Sequence, residues 1–286
     1  MNQSFFVAGG DARQRAICRL LAERGAAVSS FALHGEDCLD AATAARLCAA
    51  DVVLLPLPAA DSAGFLQAPA LEEKMPLETL WPLLHRHQKI FGGMFSAETL
   101  RSAAAFDLHP VDYFAREEFA LRNAYITAEC ALQLTMEHLD RTVRGTRCLI
   151  LGYGRIGTFL ARLLLKLGAD VSVACRTGED TARAQLDGCH ALLFSRLAER
   201  IRTFDVIYNT VPAMILDQAL LERAARRCLC IDLASKPGGM DFAAAAHLEL
   251  QTLWALGLPG KLAPESAGAA ILDTVFQLLA EQEVDI

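Results

Sequence analysis

The sequence lacks any apolar run long enough to cross a bilayer: its longest, such as Val52 to Leu57, fall far short of the roughly 20 residues required. It also lacks an excess of positive charge, since 27 Lys plus Arg face 34 Asp plus Glu for a formal net charge of -7. A general binder of phosphate backbones, which depends on clustered Lys and Arg, is thereby disfavoured. The opening MNQSFFVAGGDARQ has neither the basic start nor the long apolar stretch of a secretory leader, so a cytoplasmic protein is expected. No CxxC pair occurs among the nine scattered cysteines, so neither zinc nor a redox dithiol is indicated and no metal is expected. Cys228 and Cys230, two apart in a strand, read as small core residues. What is abundant is apolar content, 53% of 286 residues against 21% charged. That excludes disorder and suffices for one large domain or two ordinary ones, with a ligand of small-molecule scale.

Short apolar runs alternate with segments of helical spacing. In the first half, Ser4 to Ala8, Ala27 to Leu33, Asp51 to Leu55, Lys89 to Phe95 and Asp107 to Val111 read as strands. Ala12 to Arg24, Ala41 to Ala49, Leu77 to His87 and Ala97 to Ala105 read as helices. Pro56, Pro58, Pro69 and Pro76 punctuate a longer connection of the kind that often serves function. A long helix from roughly Phe119 to Thr142 suits a bridge between two domains. The pattern then restarts with strands at Arg147 to Leu151, Asp170 to Ala174, Ala191 to Phe194, Asp205 to Asn209, Leu229 to Leu233 and Leu248 to Thr252. A helix from Ile156 to Leu167 follows the first of these, and Glu265 to Glu281 is helical again. Such alternation specifies an α/β protein with parallel sheets, whose ligands bind beyond the carboxyl ends of the strands.

The sharpest motif is Gly152-Tyr-Gly154-Arg155-Ile156-Gly157, which follows an apolar strand and opens a helix, the context that a dinucleotide fingerprint requires. Gly152 makes the tight turn, Gly154 admits a pyrophosphate, Gly157 allows close packing, and the amides at the helix start face the anion. The acidic residue that would hold the ribose hydroxyls of NAD is missing from the end of the next strand, which instead reads Ala174-Cys175-Arg176-Thr177. A guanidinium suits the extra 2'-phosphate of NADP, with Thr177 as a hydroxyl donor, so NADP is favoured and NAD stays open. Thr210, Val211 and Pro212, after a later strand, are candidate contacts to the nicotinamide ribose.

Four separated motifs carry a family resemblance: Ala8-Gly9-Gly10-Asp11-Ala12-Arg13-Gln14, Asn123-Ala-Tyr-Ile-Thr127-Ala-Glu129, Asp232-Leu-Ala-Ser235-Lys236-Pro-Gly-Gly239, and Leu258-Pro259-Gly260-Lys261-Leu-Ala-Pro264 running on to Gly268. In these the chain resembles the A subunits of dipicolinate synthase from spore-forming bacteria, over essentially its whole length. Glu265-Ser266 departs from the more neutral, threonine-containing run expected there. The resemblance implies two Rossmann-like domains with parallel sheets, joined by a long bridge helix, with a C-terminal helix returning to the first domain. Residues 1–122 would form an N-terminal substrate and catalytic domain, 123–142 the bridge, 143–258 the NADP-binding domain, and 259–286 a C-terminal loop and helix.

The activity implied is oxidation of dihydrodipicolinate, formed from 4-hydroxy-tetrahydrodipicolinate, to dipicolinate for sporulation. The flavoprotein-like B subunit of dipicolinate synthase is the implied partner, homo-oligomers are expected, and neither nucleic acid nor membrane is. A dehydrogenase of another small dicarboxylate or amino acid is the alternative, as is an NADP-binding scaffold whose partner carries the redox step. The dianionic substrate calls for cations and donors, for which Lys261, Lys236, Ser235 and Thr127 are candidates. Gly9 and Gly10 would add backbone amides, and Arg13 or Arg15 a charge. For the proton acceptor, Glu129, Asp232 and Lys261 are the candidates, ahead of His247 and His109.

Overall fold

The computed structural model describes residues 3–34 and 39–284; of the nine cysteines, Cys38 lies outside them. The chain divides into two units, residues 1–123 with 263–286, and residues 124–262. The first runs β1 (Ser4–Ala8), α1 (Ala12–Glu23), β2 (Ala27–Phe31), α2 (Ala41–Ala49), β3 (Val52–Leu54), β4 (Lys89–Gly92), α3 (Ala97–Ala104) and β5 (Val111–Asp112). The long helix α4 (Glu117–His138) leads into the second unit. There follow β6 (Arg147–Leu151), α5 (Arg155–Lys166), β7 (Asp170–Cys175), α6 (Gly178–Leu186), β8 (His190–Leu193), α7 (Leu197–Arg200) and β9 (Val206–Asn209). The unit closes with α8 (Gln218–Leu221), β10 (Leu229–Asp232), α9 (Phe242–His247), β11 (Gln251–Trp254) and α10 (Leu258–Leu262), after which α11 (Pro264–Val284) rejoins the first unit.

Both sheets are wholly parallel. The first has the order β2-β1-β3-β4-β5 and the second β11-β10-β9-β6-β7-β8. Each order reverses once, at β1/β3 and at β6/β9, and in open α/β sheets that reversal is where a crevice forms beyond the strand ends. Central strands covered by helices on both faces must be apolar on both, which is why Phe5 to Ala8 and Cys148 to Leu151 are continuously buried. Phe6, Val53, Leu55, Ile90 and Trp81 anchor the first core, while Leu149, Ile207, Cys228 and Cys230 belong to the second. The two cysteines are thus packing residues, and a hydrogen bond to Cys230, with burial second, pushes the Cys228 thiol far up.

Helix α11 packs on α1, and Gly268 makes the approach possible: a Cβ there would stand 2.8 Å from the Arg13 carbonyl oxygen and 3.1 Å from Ala16 Cβ. Further along, Phe276 meets Phe5 edge to face at 6.2 Å and carries the Arg24 guanidinium over its ring at 5.1 Å.

Several elements differ from the sequence pattern for local reasons. Leu77 to His87 is a 3-10 helix that stops at Leu83, because Pro82 removes an amide and disfavours continuation. The strand expected from Asp107 begins only at Val111, since Asp107 has φ 57 and Pro110 lacks an N–H. β4 ends at Gly92, beyond which Met94 has φ 57 and the Asp112 carboxylate accepts the Met94 and Phe95 amides at 3.1 and 3.2 Å. Glu249, at φ 56, delays the last strand to Gln251–Trp254. The bridge helix spans Glu117 to His138 rather than Phe119 to Thr142.

Candidate functional site

The glycine loop of the second unit is open where a ligand needs it open. Gly152 turns the chain at φ 93, a conformation that a side chain would strain. A Cβ on Gly157 would sit 2.3 Å from the Gly152 carbonyl oxygen, so only glycine lets α5 start this close to β6. A Cβ on Gly154 would instead meet nothing within 4 Å. Gly154 is the N-cap of α5 and supplies no side-chain cap, so the amides of the first turn, at Arg155 and Ile156, stand beside that open space. An uncapped helix start and a bare backbone next to a strand-order reversal fit a pyrophosphate.

Two side chains that the sequence pattern did not single out brace the loops at this end of the sheet. Tyr153, between the first two glycines, is buried and donates its hydroxyl to Asp187 Oδ2 at 2.5 Å, while Arg162 reaches the same oxygen at 3.1 Å. Desolvation, with the Asp187 hydrogen bond second, pushes the phenol well up, whereas the tyrosine hydroxyl and Arg162 hold Asp187 below the usual carboxylate range. Asn209 is the second. It ends β9 in register with Asp232 at the end of β10, both wholly buried, and its Nδ2 donates to Asp232 Oδ1 at 2.8 Å and to the Val211 carbonyl at 3.0 Å. Their pairing depends on strand register, which residue spacing does not reveal.

At the end of β7, Arg176 is exposed and makes no hydrogen bond or ion pair with any other described residue. Thr177 differs from expectation: it caps α6, accepting from the Asp180 amide at 3.2 Å and donating its hydroxyl hydrogen to Asp180 Oδ2 at 2.9 Å. Its donor is therefore engaged. Thr210 donates to the Leu151 carbonyl at 2.8 Å, and a Cβ on Gly152 would come within 2.8 Å of Thr210 Oγ1 and of Val211 Cγ2. These two residues wall the glycine turn, and Pro212 beyond them is exposed.

Asp232 does not present a carboxylate to a ligand. Besides Asn209, its Oδ1 accepts the Ala234 amide at 3.0 Å and its Oδ2 the Gly239 amide at 2.8 Å. It clamps the turn Ser235–Gly238, closed by a 2.8 Å hydrogen bond from the Gly238 amide to the Ser235 carbonyl. Ser235 and Lys236 project from this turn, exposed and without a partner among the described residues.

In the first unit the opening glycines are closed on the protein itself. Gly9 at φ 70 donates its amide to Phe31 O at 2.8 Å, and Gly10 at φ 108 donates to Gln67 O at 2.7 Å. The expectation that these amides serve a ligand is corrected: the Gly9 amide extends the ladder to the end of β2, and the Gly10 amide is consumed by the proline-rich connection. A Cβ on Gly9 would approach Leu66 Cγ to 2.9 Å, so the glycines accommodate the proline-rich connection. Arg13 is similarly occupied, pairing with Asp11 at 2.9 Å and donating to the Leu57 carbonyl at 2.6 Å. Arg15 is exposed and without a partner among the described residues.

On α4, Thr127 is buried and Glu129 exposed. Lys261 on α10 is exposed. His109 is largely exposed beside Asp107, and His247 is exposed at the end of α9. Among the described residues no cluster of three or more His, Cys, Asp or Glu side chains can hold a metal ion, and no helix is long and apolar enough to cross a membrane.

Residues 4–114 match the family model for the N-terminal domain of the dipicolinate synthase A subunit. Over 98% of its length the chain is 34% identical to the dipicolinate synthase A subunit of Bacillus subtilis (strain 168), covering 96% of that protein. The chain belongs to the family of dipicolinate synthase A subunits. Residues 118–227 match the NAD binding domain of D-isomer specific 2-hydroxyacid dehydrogenases, so this family member is a dehydrogenase-type oxidoreductase subunit that takes a nicotinamide dinucleotide. The crystal structure of the dipicolinate synthase A subunit from Bacillus halodurans superposes with a TM-score of 0.84 at 30% identity, covering 97% of this chain and 98% of that one. The transhydrogenase of Sinorhizobium meliloti, at 14% identity, shares the fold with a TM-score of 0.72 over 97% of this chain and 85% of that chain.

Proposed function

We propose that this dipicolinate synthase A subunit oxidises dihydrodipicolinate, formed by loss of water from 4-hydroxy-tetrahydrodipicolinate, to dipicolinate with NADP. The balance is simple: a hydride leaves one ring carbon for the nicotinamide, a proton leaves the ring, and the products are dipicolinate, NADPH and a proton. The dinucleotide, when bound, supplies the hydride acceptor. Aromatisation supplies much of the driving force, so the chain has chiefly to position the ring and take up a proton.

The observation that carries this reading is the open cradle at Gly154 under the uncapped start of α5, in a chain of this family. Arg176, exposed and without a partner among the described residues at the end of β7, supports NADP over NAD, because a guanidinium meets the 2'-phosphate with charge-assisted hydrogen bonds. Thr210, Val211 and Pro212 would flank the nicotinamide ribose, and Lys236 and Ser235 would receive a substrate carboxylate. Lys261 and Arg15 are further cations for the dianion. Asp232, with both oxygens engaged, is withdrawn as proton acceptor, and Glu129 is preferred over Lys261 because a carboxylate needs no desolvation to act as a base. Residues 1–122 would then serve the substrate and 143–258 the cofactor. A flavoprotein-like B subunit is the proposed partner, and sporulation the proposed setting.

The test is to incubate the purified chain, the flavoprotein-like partner and the two together with NADP and freshly generated dihydrodipicolinate, and to follow dipicolinate and NADPH. Equal amounts of both products are expected. Turnover by the partner without this chain would reduce it to a scaffold, and no turnover in any combination would sink the proposal.

A further inference from the structure

Trp254 closes the edge strand β11 in register with Asp232, which places it at the carboxyl end of the second sheet beside the turn that carries Ser235 and Lys236. The contact is direct: a Cβ on Gly238 would stand 3.5 Å from both Cε2 and Cζ2 of the indole. Phe242 stacks on the indole with centroids 5.2 Å apart and an interplanar angle of 27°. So large an aromatic surface is normally buried, yet Trp254 remains 43% exposed. Phe242 and Gly238 both meet the ring, and part of its surface still faces solvent.

Three donors belong to this end of the sheet. The Lys236 ammonium, the Ser235 hydroxyl and the Trp254 indole N–H have no partner among the described residues. The neighbouring acceptor, Asp232, has both oxygens engaged within the protein. A patch of unmatched donors beside a braced aromatic ring is complementary to a ligand that is flat, ring-shaped and rich in anionic oxygens.

We propose that Trp254, with Lys236 and Ser235, forms the specificity site for a planar pyridine dicarboxylate, the indole reading the flatness of the ring and the two donors reading a carboxylate. This rests on the proposed function and deepens it. The site discriminates along the reaction: the aromatic product lies flat on the indole, whereas a puckered tetrahydro ring cannot. The product is accordingly held more tightly than its non-planar precursors and inhibits the enzyme.

Calorimetric titrations of the full chain with dipicolinate and with its saturated counterpart, piperidine-2,6-dicarboxylate, test the idea, with tryptophan emission as a second readout. The other tryptophan, Trp81, is buried in the first core, so an emission change on binding reports Trp254. In the unaltered chain dipicolinate should bind more tightly than the saturated ring and quench emission saturably. Trp254→Leu should weaken dipicolinate about tenfold, as expected for loss of an aromatic contact, and abolish the quench. The same variant should leave the saturated ring and NADP within about twofold, and Trp254→Phe should restore the preference. Equal losses for both rings, or unchanged dipicolinate affinity in Trp254→Leu, would overturn the inference while leaving the proposed function standing. Failure of dipicolinate to bind the unaltered chain would likewise overturn the inference, while the proposed function falls only with the absence of turnover.

Discussion

In each unit a glycine loop joins the first strand of the parallel sheet to a helix, yet Gly9 and Gly10 differ in fate from Gly154. At Gly9 and Gly10 the amides are consumed by Phe31 and Gln67, and added side chains would strike Leu66 and Gln14. At Gly154 an added Cβ meets open space and the helix start is uncapped. Glycine in the first unit lets the protein pack on itself; at Gly154 it keeps the protein away from the backbone. A glycine that admits a ligand is thus told from one that admits a neighbouring loop by what surrounds it.

The sharpest way to break this contrast is a pair of alanines. Gly154→Ala, at an ordinary φ of -82, should leave folding stability within about 1 kcal/mol. It should weaken dinucleotide binding about a hundredfold, the loss of about two charge-assisted hydrogen bonds to the phosphates. Gly10→Ala combines a φ of 108 with a Cβ only 2.3 Å from Gln14 Oε1. It should cost about 3 kcal/mol in urea unfolding, with dinucleotide affinity in the folded fraction unchanged. If both variants lose the same property, the distinction fails.

The opposite ends of the two sheets give a second contrast. Asp51 ties the first through the Ser4 amide and hydroxyl at 2.7 and 2.8 Å, whereas Asp205 ties the second through Arg147 at 2.8 Å and Arg141 at 3.0 Å. The Arg147 hydrogen bond is the largest cause holding the Asp205 carboxyl well below the usual range, so its contribution is complete above an unfolded value near 4 and is lost as pH falls through the folded one. Asp205→Asn should destabilise by about 2 kcal/mol at neutral pH, and the gap to the unaltered chain should close on acidification below about pH 4. Asp51→Asn should cost less, because its partners are neutral. Denaturant midpoints across pH check the ordering. The smallest effect belongs to Arg176→Ala, which should weaken NADP about tenfold in calorimetry and leave NAD within about twofold; equal losses would remove the 2'-phosphate role.

Much of the fold is legible in the order of the residues alone. Uninterrupted apolar runs mark strands buried on both faces, and β1, α2 and β6 fall where the pattern puts them. The glycine loop is legible because its function is local: turn, cradle and helix start are consecutive in the chain. The Asn209–Asp232 pair, the cover over Gly9 and Gly10, and Trp254 are not, since each depends on which strands lie side by side. Trp254 is further hidden by Glu249, whose φ of 56 shifts the last strand until the indole stands at its end.

The buried Asn209–Asp232 pair bears on how such a protein diversifies. The connections after β9 and β10 are both fastened to this one amide and carboxylate, through Val211 on one side and Ala234 and Gly239 on the other. On the loop side the fastening uses main-chain atoms only, so it is indifferent to the side chains of Pro212, Ser235 and Lys236 at the loop tips. Those tips are free to mutate, and the frame can be refitted to other small acids without being rebuilt.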